Sequence, residues 1–125
     1  MNAAVQATLP AIGAAFEGGT FAGITLHNDQ LAALVLMPGD TSRVTWDRAA
    51  EVAKEQGGEL PSRHDMLVLL KNVKSEFRTD DWYWTNEEVA GDADCAWVAD
   101  FYHGGQNWLR KSIGCRCRAV RRVAI

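Results

Sequence analysis

The sequence predicts an α+β domain: a hairpin near the start, then two helices, then several short antiparallel strands. Three observations carry that expectation. Two apolar runs flank a four-residue turn. Two stretches repeat apolar residues at helical spacing between recognisable caps. The final third is aromatic and alternating, with turns every few residues. There is no strand–helix–strand alternation, and Gly18-Gly19 and Gly57-Gly58 are isolated pairs with no following Lys. A parallel nucleotide-binding sheet with a phosphate loop is therefore disfavoured.

At 125 residues the chain reads as one domain spanning 1–125. That length buries a core without metal or disulfide staples. Residues 1–15 are Ala-rich, lack turn chemistry and read as a loose lead-in. They carry neither a basic start nor a long apolar stretch, so no signal peptide is read, which points to a cytoplasmic or virion-associated protein. No apolar run reaches membrane-span length, so no membrane insertion is expected. A net charge of −3 argues against a general nucleic-acid or anionic-membrane binder. Five tryptophans are unusual in so short a chain.

Each element has its own warrant. Phe21 to Leu26 and Leu31 to Met37 form the hairpin, because Asn28 and Asp29 tolerate the left-handed backbone of a tight turn. Pro38-Gly39-Asp40 ends it. Thr45 is a good N-cap, with Asp47 facing the dipole of a helix whose inner face is Trp46, Ala49, Ala50 and Ala53. A stripe of small residues brings that helix close to a sheet, and Gly57 stops it. Ser62-Arg63-His64-Asp65 resembles a capping box, opening a second helix with Met66, Leu69, Leu70, Val73 and Phe77 on one face to about Glu76. Trp82-Tyr83-Trp84-Thr85 is an aromatic strand, residues 86–94 an acidic surface loop, and Ala96 to Tyr102 an alternating strand. His103-Gly104-Gly105 turns the chain into Gln106 to Lys111, and Cys115 to Val123 is a last, Arg-rich strand.

The three cysteines, Cys95, Cys115 and Cys117, leave at least one thiol unpaired. Cys115 and Cys117 share a face and do not readily bridge each other. Cys95 bridging either one requires neighbouring strands; the alternative is three small buried residues in a reducing compartment. No zinc spacing is present, so no metal and no cofactor is expected. His64 and His103 lack a nucleophile or carboxylate pattern, so an enzyme is not expected.

Trp46 to Ala50 running to Gly57-Gly58-Glu59-Leu60-Pro61-Ser62, then Trp82 to Asn86, Ala96 to Phe101, Gly104-Gly105, Lys111-Ser112 and Arg118 to Arg122 carry a family likeness. In this order they resemble C-type-lectin-like domains of the bacterial and prophage branch, which includes the C-terminal domains of bacterial collagen-like adhesins. The start, Leu9 to Gly13 with Gly18-Gly19 and Phe21 to Ile24, is similar to short phage-encoded members. The resemblance implies a C-type-lectin-like fold and a ligand-binding module, not an enzyme. The calcium-dependent sugar triplets, Glu-Pro-Asn or Gln-Pro-Asp, and the Trp-Asn-Asp motif are missing. The two disulfides of animal lectin domains cannot be built from three cysteines.

The resemblance further implies that function sits on the closing strands. The candidate ligand-binding residues are Tyr102, His103, Gln106, Asn107, Trp108, Leu109, Arg110, Ile113, Cys115 and Cys117. Trp, Tyr and Arg supply the contact area of binding hot spots. Trp108 either faces ligand or packs on Trp82 or Trp84. The same fold serves the variable proteins of diversity-generating retroelements, and the mixed chemistry of 102–117 resembles their diversified window. The expected partner is a protein or glycan ligand, and a homo-oligomer stays open. The alternative is a nucleic-acid-associated protein, using Arg110, Lys111, Arg116, Arg118, Arg121 and Arg122 with Trp108 to stack. Strand alternation splits those charges over two faces, and Arg118 and Arg121 read as partners of the acidic loop.

Overall fold

A computed structural model describes residues 9–125. The expected lead-in falls partly outside the described residues. Its later part is tied down: the Gly13 N–H donates to the Phe21 carbonyl at 2.8 Å. The fold is mixed α+β, with two helices and nine mostly antiparallel strands among the described residues.

The elements follow in chain order. Strands β1 (Ala15–Phe16), β2 (Gly19–His27), β3 (Gln30–Leu36) and β4 (Thr41–Val44) come first. Helices α1 (Trp46–Glu55) and α2 (Arg63–Val73) follow, then one 3-10 turn, Lys74–Glu76. Strands β5 (Trp82–Val89), β6 (Asp92–Asp100), β7 (Gln106–Arg110), β8 (Cys115–Cys117) and β9 (Val120–Ala124) complete the fold. One sheet has the order β1-β2-β3-β9 and the other β4-β8-β5-β6-β7. The β5–β8 pairing is the parallel one, at Tyr83 and Arg116.

Asn28 and Asp29 both adopt positive φ, 50° and 61°, the backbone a two-residue hairpin turn demands. Period-two alternation then sorts the core into two clusters. Val35 of β3, Trp84 of β5 and Val98 of β6 point one way, towards Ala49, Val52 and Ala53 of α1. Their neighbours Leu34, Leu36, Tyr83 and Ala99 point the other way, towards Met66, Leu69 and Val73 of α2. Between the helices, Glu59 and Val120 exchange backbone hydrogen bonds of 2.9 and 2.8 Å, fastening the connection to β9. Gly58 has no substitute there, since a Cβ would stand 2.3 Å from the Val120 carbonyl oxygen.

The capping box at Ser62 is complete. Its hydroxyl accepts from the Asp65 N–H at 2.9 Å, and the Asp65 carboxylate accepts from the Ser62 N–H at 3.0 Å. Asp65 is fully buried, and accepts in addition from the Thr25 hydroxyl and from Arg122. One carboxylate thus ties α2 to β2 and β9.

Four expectations are corrected. The acidic stretch 86–94 is not a loop: β5 runs to Val89 and β6 starts at Asp92, turning at Gly91 with φ 80°. Polar side chains are tolerated there because this end of the ladder is exposed to water on its outer side. The second helix ends at Val73, and Phe77 follows the 3-10 turn in extended backbone. Thr45 precedes α1 but makes no side-chain capping bond. The expected last strand is two strands in different sheets, β8 and β9, broken at Arg118-Ala119. There Arg118 turns to donate to the carbonyls of Glu76 and Met37.

Cys95, Cys115 and Cys117 are all free and buried. Burial pushes the Cys115 thiol up to about 12, with the Asp81 charge adding to it. Burial likewise raises Cys117, and Tyr83, whose hydroxyl also donates to Asp40. Groups with raised folded-state values stabilise the fold fully below their unfolded values and lose that contribution as pH rises through the folded ones. Stability should therefore fall between about pH 9 and 12 as Cys115 titrates. Denaturant midpoints across that range test it, and a flat profile would contradict it. In native protein at neutral pH, Cys115 and Cys117 should react with a disulfide reagent far more slowly than after unfolding.

Candidate ligand-binding face

The candidate residues gather around β7, the outer strand of the five-stranded sheet. The β6–β7 register pairs Trp97 with Trp108, Ala99 with Gln106 and Cys95 with Arg110. Side chains alternate across a strand, so Gln106, Trp108 and Arg110 share one face and Asn107 and Leu109 the other. Leu109 is half-buried and packs against the α1-side core. The ten residues thus do not form one patch: Gln106, Trp108 and Arg110 make a strand face, Tyr102, His103 and Ile113 lie in the loops at its ends, and the other four point elsewhere.

The centre of that face is an aromatic pair. Trp108 is 52% exposed and meets Trp97 edge to face, ring centroids 5.2 Å apart. Trp82 and Trp84 pack in and against the core under α1, so neither expected partner of Trp108 is the real one. Trp97 is held from behind by Arg63, whose guanidinium carbon lies 3.5 Å from the ring centroid. Arg63 is fixed in turn: its Nε donates to Gln106 Oε1 at 2.9 Å, and Gln106 Nε2 donates back to the Arg63 carbonyl at 2.9 Å. Glu87 accepts from the Arg63 backbone N–H at 2.7 Å. Gln106 therefore works as a brace, not as a free ligand contact. Arg63, Trp97 and Glu87 were not among the candidates. Trp97 was legible as an alternating strand residue, but Arg63 at the first turn of α2 gave no signal of reaching it.

At one end of β7, Tyr102 (62% exposed) and His103 stand edge to face at 4.5 Å. Asp100 fixes their loop by accepting from both backbone N–H groups, at 2.8 and 3.2 Å. Gly104 has φ 79°, and a Cβ there would meet Leu70 at 2.8 Å, so only glycine lets the loop lie on α2. At the other end Arg110 borders an open cleft of about 560 Å³ with Thr45, Asp47, Asp94, Lys111 and Ser112. Ile113 is exposed beside it. Cys115 and Cys117 are corrected: β8 lies inside the sheet between β4 and β5, so both side chains are buried and touch no ligand on this surface.

The Arg-rich segment is dismantled by its own partners. Arg116 pairs with Asp40 at 2.9 Å and Asp81 at 3.4 Å. Arg122 pairs with Asp65 and Glu59, and Lys111 with Glu88 at 3.1 Å. Arg118 and Arg121 donate to backbone carbonyls, not to the acidic stretch expected for them. Of these six cations, only Arg110 has no ion pair or side-chain hydrogen bond among the described residues. Among the described residues no three His, Cys, Asp or Glu side chains stand together as a metal group, and no helix is long and apolar enough to cross a membrane.

Fold and site together define a small α+β domain that presents a braced aromatic strand at the edge of its second sheet. The chain belongs to the family of domains of unknown function DUF8780, which matches residues 40–114. The matched segment holds β4, both helices and β5 to β7, and so includes the whole Trp97–Trp108 face. A comparison with curated proteins finds no match.

Proposed function

We propose that this chain is a ligand-binding module of the C-type-lectin-like kind, of phage or prophage type, that recognises a protein or glycan through the β7 face and its two flanking loops. The observation that carries the reading is the exposed, pre-positioned Trp108. An aromatic ring half open to water, set against Trp97, which Arg63 and Gln106 in turn hold in place, offers contact area at little ordering cost. Arg110 shares its strand face, and the exposed Tyr102, His103 and Ile113 stand in the loops at the two ends of β7. The pairing of β9 with β3 suits the lectin-like reading, because early and late strands share one sheet and the segment between them carries the binding face. The ion pairs that occupy Arg116 and Arg122 leave the nucleic-acid alternative without its basic stripe.

The test is a glycan array and a surface-protein display library, screened with wild type and Trp108→Ala in parallel. Trp108→Ala should lose about 2 kcal/mol or more of binding, roughly thirtyfold, with an unchanged melting temperature. Ligands held equally by both proteins would overturn the reading. Sequencing the gene and its flanking locus across a natural population tests diversification. Substitutions should fall at Tyr102, His103, Asn107, Trp108, Arg110 and Ile113, and spare the buried Cys115 and Cys117 and the core-packed Leu109. Uniform variation with no nearby template copy would sink the retroelement idea.

A further inference from the structure

Arg118 is a buried cation without a counter-charge among the described residues: it is 7% exposed, and no carboxylate lies within ion-pair distance. A guanidinium has five N–H donors. Here Nη1 donates to the Glu76 carbonyl and Nη2 to the Met37 carbonyl at 3.1 Å, while Nε has no partner among the described residues. Its remaining neighbour is the Phe77 ring, 5.2 Å away. A buried cation is normally paired, because desolvation without a counter-charge is expensive.

This arginine also lines a cleft of about 530 Å³ on the four-stranded-sheet side, in a different sheet from β7. That volume lies within the range of small-ligand sites. Its walls combine the apolar Phe16 and Pro38 with the backbone of Gly18, Gly19 and Gly39, while the Leu36 side chain is buried in the core behind. Gly18 and Gly39 take φ 83° and 106°, which keeps side chains out of the opening. Glu76 is the one acidic lining residue. It is exposed and free to turn to solvent.

We propose that this cleft is a carboxylate-binding site, with Arg118 at its base supplying the positive charge and Phe16 and Pro38 taking an apolar body. The chemistry fits an aryl or alkyl carboxylate and equally the free C-terminus of a peptide ending in an apolar residue. The Arg118 charge, without an ion pair among the described residues, favours a carboxylate over the corresponding neutral amide.

Amide chemical shifts of 15N-labelled full-length protein test it, with three probes: 4-phenylbutyrate, a pentapeptide ending in free Leu, and the same peptide amidated. Saturable shifts at Gly18, Gly19 and Gly39 are expected with a carboxylate and not with the amide. A response to 4-phenylbutyrate alone assigns a small-molecule carboxylate; a tighter response to the free peptide assigns a chain terminus. Ala15→Trp fills the exposed mouth and leaves Arg118 in place, so it should abolish the shifts in a folded protein. Glu76→Gln removes the like charge and should strengthen binding severalfold. Equal shifts with acid and amide, or none at millimolar probe, would overturn the proposal. So would a Glu76→Gln variant that binds no better and melts lower, since Glu76 would then be the counter-ion.

Discussion

Replacing Asp65 with alanine is expected to destabilise the fold by about 3–5 kcal/mol, a large part of the stability of a domain this size. The carboxylate is fully buried and satisfies four donors: Thr25, the Ser62 N–H, and two nitrogens of Arg122. Alanine leaves the Arg122 charge, itself 5% exposed, with only the solvent-exposed Glu59 at 3.2 Å. The same substitution removes one half of the capping box, which alone costs about 1 kcal/mol. Arg122→Met should cost a similar amount for the opposite reason. The pair Asp65→Leu and Arg122→Met together should recover most of the loss, because a well-packed apolar pair spares both desolvation costs. Urea melts of Asp65→Leu, Arg122→Met and the double variant form the cycle. Strictly additive losses would show that the two residues act separately.

The second large effect is expected at Phe77. Its ring stacks on Phe101 at 3.9 Å and 6°, and meets Tyr83 edge-on at 5.1 Å. Tyr83 and Phe101 also meet edge-on at 5.5 Å, so Phe77→Ala removes one corner of a closed triad and should cost about 3–5 kcal/mol. It also uncovers the guanidinium of Arg118. Phe77→Leu, closer in volume, should cost clearly less. A loss under about 1 kcal/mol for Phe77→Ala, with an unchanged denaturant slope, would mean that the site collapses around the gap.

Phe77 shows where the sequence was legible and where it was not. Its spacing from Val73 placed it correctly on the buried side, but by continuing a helix that stops at Val73. Apolar periodicity reports which side chains are buried; it does not report a tightening to one 3-10 turn, which keeps Phe77 facing inward. The hairpin at Asn28-Asp29 and the cap at Ser62 were readable because local chemistry decides them. The split of Cys115 to Val123 was not, because it is decided by the remote carbonyls of Met37 and Glu76 that Arg118 reaches. The binding face divides the same way. Trp108, Tyr102 and Arg110 announced a surface by composition, whereas its brace joins residues from α2 and β7 through contacts no local pattern encodes. Alternation put Cys115 and Cys117 on one face without saying that the face was inside.

The pairing of β3 with β9 also governs when this protein can fold during translation. Leu36 opposite Val120 and Ala32 opposite Ala124 are among the most distant contacts in the chain. Until the ribosome has made the residues after Val120, the inner edge of β3, with Leu34, Val35 and Leu36, lacks its partner strand. Contacts this distant slow folding, and the waiting strand is a template for the wrong neighbour. The nascent chain should therefore depend on chaperones more than its modest size suggests, and a translational pause before Val120 should favour aggregation.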